Sequence, residues 1–221
     1  MRADRPRWRP EHERNAVGTV AEIAVLDYGS GNLHSVSRAL AHAGGEPVVT
    51  GDPQRVAAAD ALVIPGVGHF GHCVRAIRAK GLDRVIAGAV GTGKPVFGVC
   101  VGMQVLFEGS EEDPEGGLGI LPGESRRLPD DVKVPHIGWN DVAWQRRHPY
   151  VDGIPDGTRF YFVHSYAPDA NEDTVGVTEH GRQFAAAASR DNVFATQFHP
   201  EKSGEAGLAI YGNFVKAVPR T

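Results

Sequence analysis

The first hundred residues alternate short apolar runs with segments that have helical spacing. The runs are "EIAVLDY" at 22–28, "PVVT" at 47–50, "ALVIPG" at 61–66 and "PVFGVC" at 95–100. Short, continuous apolar runs between helical segments are typical of buried strands. This alternation requires right-handed crossovers, and it predicts a largely parallel sheet with helices on both faces.

The segments between the runs predict helices. Asn32 stands where it can cap a helix that runs to about residue 44. Residues 69–81 carry Phe70, Val74 and Ile77 at helical spacing, with basic residues on the other side. A further helix is predicted over 101–107, directly after the fourth strand.

From about residue 119 the pattern changes to strand-like pieces with few helices between them. These pieces are "DVKVPHIGWNDVAW", "TRFYFVHSYA", "TVGVTEH", "FAAAASR" and "VFATQF", and a last helix is predicted over 204–218. Such a run suggests an antiparallel or mixed extension on the same core. The predicted fold class is therefore α/β: a mostly parallel central sheet flanked by helices, with a mixed or antiparallel extension in the C-terminal half.

No Pro- or Ser-rich linker divides the chain, so residues 19–221 are predicted to form one domain. Residues 1–18 stand apart, with arginines at positions 2, 5, 7, 9 and 14 and no apolar core of a secretory signal. We interpret them as a mobile N-terminal leader.

Composition narrows the class of protein. Hydrophobic residues make up 41% of the 221 residues and charged residues 23%, which is ordinary for a soluble globular protein. A net charge of −4 does not favour nucleic acid as a partner, and no apolar run reaches the roughly 18–20 residues of a membrane span. With only two cysteines, a disulfide framework is excluded, and a cytoplasmic location is expected.

Cys100 lies between Gly98 and Gly102, where the fourth strand turns into the next helix. This arrangement resembles a nucleophile elbow with sulfur in place of oxygen. The amino-terminal end of the following helix would favour the thiolate form. A buried core cysteine explains the same pattern, and the motif alone does not decide between the two.

The third strand ends in "PGVG" at 65–68. Glycine on both sides of Val67 allows a peptide to turn its N–H into a pocket, as acyl transfer requires when charge develops on a carbonyl oxygen. An ordinary strand-to-helix turn is the alternative interpretation.

His199 follows the last strand, and Glu201 lies two residues further on, across Pro200. In an extended segment, side chains two residues apart project from the same face. The carboxylate can then accept the proton of one imidazole nitrogen and orient the other nitrogen toward a thiol.

Taken together, residues 96–107, the "PGVG" turn and residues 196–204 resemble the class I (triad-type) glutamine amidotransferases. The stretches "LDYGSGNLHSV", "PGVGHFG", "VPHIGWNDV" and "YFVHSYA" extend the resemblance over about 23–214, the whole chain except the leader. The catalytic motifs show no departure from the family pattern.

The resemblance implies hydrolysis of L-glutamine to glutamate and ammonia, with Cys100 as the nucleophile, His199 as the acid and base, and Glu201 as its orienting carboxylate. It places the oxyanion hole at the backbone N–H groups of Val67 and Val101. The implied substrate-binding residues are Gly68, Gln104, Ser165 and Tyr166. Rotation of a peptide at 66–68 would complete or remove the oxyanion hole. No metal or cofactor is expected.

The resemblance also implies a heterodimer with a (β/α)8-barrel cyclase subunit, which receives the ammonia through a dry passage. Trp139 and Lys202 match positions that face the barrel. Nothing in the chain resembles a phosphate-cradling loop, which fits a phosphorylated substrate bound by the partner. No nucleic acid or membrane is expected as a partner.

Three alternatives stay open at this point. The chain could feed ammonia to a different synthase, it could be a catalytically inactive binding subunit, or it could be a cysteine hydrolase of unrelated fold. The acidic run at positions 108, 111, 112, 113 and 115 lacks the regular spacing of a calcium loop, and it is predicted to be a solvated loop.

Overall fold

The fold is described from a computed structural model that covers residues 20–219. The leader predicted over 1–18 lies outside the described residues. The strands are β1 (Glu22–Leu26), β2 (Glu46–Thr50), β3 (Ala61–Gly66), β4 (Val96–Cys100), β5 (Gly109–Ser110), β6 (Glu124–Arg127), β7 (His136–Trp144), β8 (Thr158–His164), β9 (Tyr166–Pro168), β10 (Thr174–His180), β11 (Arg182–Arg190) and β12 (Val193–Thr196). The helices are α1 (Leu33–His42), α2 (Pro53–Ala58), α3 (Phe70–Ala79), α4 (Leu82–Gly91), α5 (Val101–Gln104) and α6 (Gly204–Ala217), with 3₁₀ turns at Pro149–Val151 and Pro200–Lys202.

Nine strands form one sheet in the order β2-β1-β3-β4-β12-β11-β10-β7-β8, and β5, β6 and β9 form a smaller sheet. From β2 to β12 the neighbouring strands are parallel. From β12 to β8 they are antiparallel. The predicted parallel sheet with a mixed or antiparallel C-terminal extension is confirmed.

The core lies on both faces of this sheet. Ile23, Val25 and Leu62 of the parallel strands are fully buried, which explains their continuous apolar runs. Phe97 on β4 packs against Tyr211 and Phe214 of α6, with ring centroids 5.6 and 5.4 Å apart. The last helix therefore covers the middle of the sheet beneath β4. Within residues 20–219, no helix is both long enough and apolar enough to cross a membrane.

Several predicted element boundaries are wrong. The helix after Cys100 ends at Gln104, not at 107, because backbone N–H groups of residues 118–121 bond to the carbonyls of Val105, Leu106 and Phe107. Asn32 occupies the N-cap position of α1, but its side chain makes no capping hydrogen bond. The first strand ends at Leu26, and α2 and α4 were not anticipated.

Candidate active site

Cys100 is the last residue of β4 and directly precedes α5. Its backbone has φ 56° and ψ −115°, a conformation that a residue other than glycine rarely adopts. The flanking glycines are required for close approach: a Cβ on Gly102 would lie 1.8 Å from the Ile64 carbonyl oxygen, and one on Gly98 would lie 2.7 Å from that of Gly102. The nucleophile elbow predicted from the sequence is therefore the local geometry of Cys100.

His199 follows β12, the parallel neighbour of β4, so its side chain starts at the same edge of the sheet as the thiol. Its Nδ1 lies 2.8 Å from Oε1 of Glu201, and both side chains are only 1% exposed. The segment is not extended as predicted, because Pro200–Lys202 forms a 3₁₀ turn. The turn still brings the carboxylate to the imidazole.

Burial and the neighbouring side chains act on the pKa of His199 in opposite directions. Burial acts to lower the pKa of His199, but its interactions with Cys100 and Glu201 outweigh burial and raise the pKa to about 10. The ring is then protonated at neutral pH, which is the form that can donate a proton to a departing amine. Nε2 of His199 is buried and has no hydrogen-bond partner within residues 20–219, so this nitrogen is free to serve a ligand or the thiol.

A cavity of about 270 Å³ opens beside Cys100 and His199. This volume is near the lower end of the range for small-molecule sites, about 300–1,000 Å³, and it suits a ligand of amino-acid size. Its lining includes all the residues that the sequence assigned to the substrate pocket and the oxyanion hole: Val67, Gly68, Val101, Gln104, Ser165 and Tyr166. The structure brings these residues together, and their individual roles stay predictions.

A buried polar network positions the Ser165–Tyr166 segment. Nε2 of Gln104 donates to the carbonyl of Tyr166 at 2.9 Å, and Nδ1 of His164 lies 2.9 Å from the same oxygen. A carbonyl only accepts, so His164 is protonated at Nδ1, and its Nε2 accepts from Nδ1 of His136 at 3.1 Å. Burial, followed by neighbouring histidines, lowers the pKa of His164 to about 3 and that of His136 to about 4. The two rings are therefore neutral around pH 7.

The backbone of Val67 is engaged by Ser30. The Ser30 hydroxyl donates to the Val67 carbonyl at 2.6 Å and accepts from the Val67 N–H at 3.3 Å. The sulfur of Cys73 also lies 3.6 Å from that carbonyl. One of the two predicted oxyanion donors is thus hydrogen-bonded to a serine hydroxyl in this conformation.

Sequence reasoning missed several residues at the site, among them Glu112 and Gln197. Glu112 lines the cavity, and its Oε2 accepts from the Phe70 N–H at 2.8 Å. Gln197 donates from Nε2 toward the Cys100 sulfur at 3.8 Å. Gln197 lies two residues before His199, a position that hints at a role, whereas no local signal distinguishes Glu112 from its acidic neighbours.

The prediction that the acidic run forms a solvated loop is wrong for part of the run. Besides Glu112, Asp113 is largely covered, and it pairs with Arg75 of α3 at 3.2 Å. Glu115 pairs with Arg78. These pairs attach the loop to α3, and this attachment is what brings Glu112 to the cavity.

An exposed apolar surface lies next to the backbone of His199. Trp139 is 48% exposed and Ile137 is 56% exposed, on the same face of β7. The Trp139 ring meets the ring of Tyr161, and Nζ of Lys202 lies 5.7 Å from the Tyr161 centroid. The carbonyl of Tyr161 accepts from the His199 N–H at 2.9 Å. A contiguous exposed apolar patch is a candidate interaction surface.

Residues 24–218 match the family model described as "Glutamine amidotransferase class-I". The matched span is nearly all of the chain that the structure describes. The chain therefore belongs to the class I glutamine amidotransferase family.

Particular relatives are similar over most of their length. The chain is 48% identical over 197 residues to a protein of Dehalococcoides mccartyi named "Imidazole glycerol phosphate synthase subunit HisH". The alignment covers 88% of this chain and 96% of the relative. The chain is also 46% identical over 198 residues to the protein of the same name from Methanothermobacter thermautotrophicus, with 89% and 98% covered.

Among solved structures, "Structure of PurLQS from Thermotoga maritima" superposes with a TM-score of 0.73 at 20% identity, over 91% of this chain and 100% of that chain. At this identity the likeness concerns the fold alone. The α/β fold is thus shared with a known structure.

Proposed function

We propose that this chain is the glutaminase subunit of imidazole glycerol phosphate synthase, which releases ammonia from glutamine and passes it to a (β/α)8-barrel cyclase subunit. The observation that carries the proposal is a thiol on a strained elbow that shares one cavity with a buried His199–Glu201 pair. The similarity to relatives named as this subunit supports the choice of synthase.

In the first half of the reaction, the Cys100 thiolate attacks the side-chain carboxamide carbon of glutamine. The charge that develops on the oxygen is stabilised by backbone N–H groups, for which Val101 and Val67 are the candidates. His199 gives its Nε2 proton to the departing nitrogen, the C–N bond breaks, and ammonia leaves. A glutamyl thioester remains on Cys100.

In the second half, His199 is neutral and accepts a proton from water, which attacks the thioester carbon. The C–S bond breaks, glutamate leaves, and the thiolate and the imidazolium are restored. Glu201 orients and stabilises the charged ring, as the third member of a catalytic triad does.

The cavity also offers groups for the amino-acid end of glutamine. Glu112 is the single carboxylate among the lining residues that the structure describes, and it suits an α-ammonium group. Ser165 and Tyr166 also line the cavity, on a segment whose Tyr166 carbonyl is held by Gln104 and His164. We assign substrate orientation to these residues.

The partner is expected to dock on the surface formed by Ile137, Trp139, Tyr161 and Lys202. An exposed tryptophan at the centre of such a surface and a lysine at its rim are typical of an interface. The carbonyl of Tyr161 accepts a hydrogen bond from the backbone of His199. A partner docked on Tyr161 therefore lies one residue away from the triad. Ammonia released at Cys100 would then have a short path into the partner, without protonation in bulk water.

A cytoplasmic location belongs to the same proposal. Both cysteines are free, which fits a reducing compartment.

The test is the release of glutamate by the purified chain alone, with a candidate barrel subunit, and with that subunit plus its phosphoribulosyl substrate. We expect low release alone and a large increase in the full complex. Equal rates in all three samples would contradict dependence on the partner. Stimulation by a different synthase, and not by the barrel, would favour another amidotransferase of this class, and no release in any sample would favour an inactive binding subunit.

A further inference from the structure

Two buried oxygen atoms beside the catalytic candidates have no hydrogen-bond partner within residues 20–219. They are Oε2 of Glu201 and the hydroxyl of Tyr211. The other oxygen of Glu201, Oε1, is already held by His199. A buried carboxylate oxygen without a donor is unfavourable and rare in folded proteins, so a donor is expected nearby.

The packing of α6 directs Tyr211 toward this carboxylate. The helix approaches the 3₁₀ turn so closely at Gly207 that a Cβ there would lie 1.9 Å from the carbonyl oxygen of Pro200. Tyr211 follows one turn later on the same helix face, and helical side chains tilt toward the amino-terminal end. The tilt directs the ring back toward Pro200 and Glu201.

The environment of Tyr211 keeps its hydroxyl a donor. The side chain is fully buried, and burial, followed by the nearby charge of Glu201, raises the pKa of the phenol well above its usual value. Glu201 is thus within electrostatic reach of the ring. For comparison, burial alone raises the pKa of Tyr150, which packs against Phe214 on the same core.

We propose that the Tyr211 hydroxyl donates to one ordered water, which donates to Oε2 of Glu201, and that Tyr211 so acts as a positioning residue for the His199–Glu201 pair. The inference rests on the proposed function, because it gives Tyr211 a role only if Glu201 orients His199. With both carboxylate oxygens bonded, the carboxylate cannot rotate away from Nδ1, and Nε2 stays directed at the reacting groups. The family motif around His199 does not extend to this helix position.

The test is a double-mutant cycle on the full complex, with glutamine-dependent glutamate release as the readout. Tyr211→Phe keeps the ring and removes only the hydroxyl. We expect kcat to fall about 5- to 10-fold, the size of one ordinary hydrogen bond, with KM changed less than about twofold. In a Glu201→Ala background the same substitution should change kcat less than about twofold, since its target is gone.

Tyr150→Phe is the matched control, because it removes a hydroxyl from a buried tyrosine in the same aromatic core and should leave kcat unchanged. A wild-type kcat for Tyr211→Phe, or an equal loss in the Glu201→Ala background, would overturn the role of Tyr211 and leave the triad intact. A wild-type kcat for Glu201→Ala alone would instead overturn the role given to Glu201 in the proposed function.

A second measurement does not depend on turnover. In the free subunit, the proton on Nδ1 of His199 should give a low-field nuclear magnetic resonance signal, because it is shared with a carboxylate. We expect this signal to shift in Tyr211→Phe and to stay in place in Tyr150→Phe. An unmoved signal in Tyr211→Phe would contradict the proposed hydrogen bond.

Discussion

The two walls of the cavity are held in place in different ways. The sheet wall, formed by Cys100, Gln104, His164 and His199, consists of nearly fully buried side chains at or just after strand ends and on α5. The loop wall, formed by Val67, Gly68 and Glu112, lies on connecting segments, and Val67 is 40% exposed. The proposed nucleophile and its proposed base are therefore held in place by packing, whereas the predicted oxyanion donor on the loop wall is hydrogen-bonded to Ser30.

This difference has a consequence for regulation. Packed strand ends change little when a partner binds, whereas an exposed loop that is held by one serine side chain can rearrange. We expect the sheet wall to determine whether glutamine is hydrolysed at all. We expect the loop wall to determine the rate of hydrolysis and the affinity for glutamine. Substitutions on the two walls should separate these effects.

The largest effect is expected from the sheet wall. Cys100→Ala removes the only nucleophile in the proposed mechanism, so glutamine-dependent turnover of the complex should fall by at least about 10⁴-fold. Turnover with added ammonium salts should persist, because ammonia then needs no release from glutamine. Loss of both activities in a complex that still assembles would mean that the thiol does more than generate ammonia.

A substitution on the loop wall should act on binding. In Glu112→Gln the acceptor for the Phe70 N–H is kept and the charge opposite the α-ammonium group is removed. We expect KM for glutamine to rise about 10- to 100-fold, with kcat changed much less. Glu111→Gln is the control on the same loop, since Glu111 bonds to the Arg127 backbone and does not line the cavity. Equal KM values for the two variants would remove Glu112 from the substrate site.

A smaller effect is expected at the serine that holds the loop wall. Ser30→Ala removes both hydrogen bonds to Val67 and frees its peptide to turn toward the cavity. We expect glutamate release by the subunit without its partner to rise about 3- to 10-fold. Ser35→Ala, on α1, should not change the rate. Unchanged or lower release in Ser30→Ala would show that the serine does not restrain the oxyanion donor.

Three buried or half-buried histidines predict how stability depends on pH. Burial, followed by neighbouring charge, lowers the pKa of His148 to about 4, and His136 and His164 are lowered in the same way. The unfolded chain binds these protons at about pH 6.5 and the folded chain does not, so stability falls as pH drops from about 6.5 toward 4. The raised pKa of His199 has the opposite effect on stability, because the folded state binds that proton more tightly than the unfolded chain. Most of this stabilisation is already present at pH 7, so it changes little between pH 7 and pH 5.

Urea unfolding at pH 7 and pH 5 measures this dependence, above the range in which ordinary carboxyl groups titrate. We expect the free energy of unfolding to be lower at pH 5 by at least about 2 kcal/mol, since each unit of pKa difference is worth about 1.4 kcal/mol. A free energy that is equal or higher at pH 5 would show that these rings are not held neutral.

Much of the fold could be predicted because its signals are local. Buried parallel strands such as β3 and β4 are continuous apolar runs, and Gly98 and Gly102 mark the elbow by their spacing alone. The end of α5 could not be predicted in the same way. It is decided by backbone bonds from residues 118–121, which are distant along the chain.

The same distinction between local and distant contacts applies to the residues of the site. His199 and Glu201 are two residues apart, so their pairing follows from the sequence, although the turn between them was predicted as extended. Glu112 is held at the cavity by the Phe70 N–H and by ion pairs between its loop and α3, and Ser30 contacts Val67 across 37 residues. Contacts of this kind depend on the tertiary fold and leave no periodic signal in the chain.

The central claim is that Cys100, and not the other cysteine, is the nucleophile toward glutamine. Mass spectrometry after treatment with a glutamine-mimicking diazoketone tests it directly, with Cys73 as an internal control. The account predicts one label per chain on the Cys100 peptide, prevented by excess glutamine, and no label on Cys73, which does not line the cavity. A label on Cys73, or no label in a sample that is hydrolysing glutamine, would contradict it.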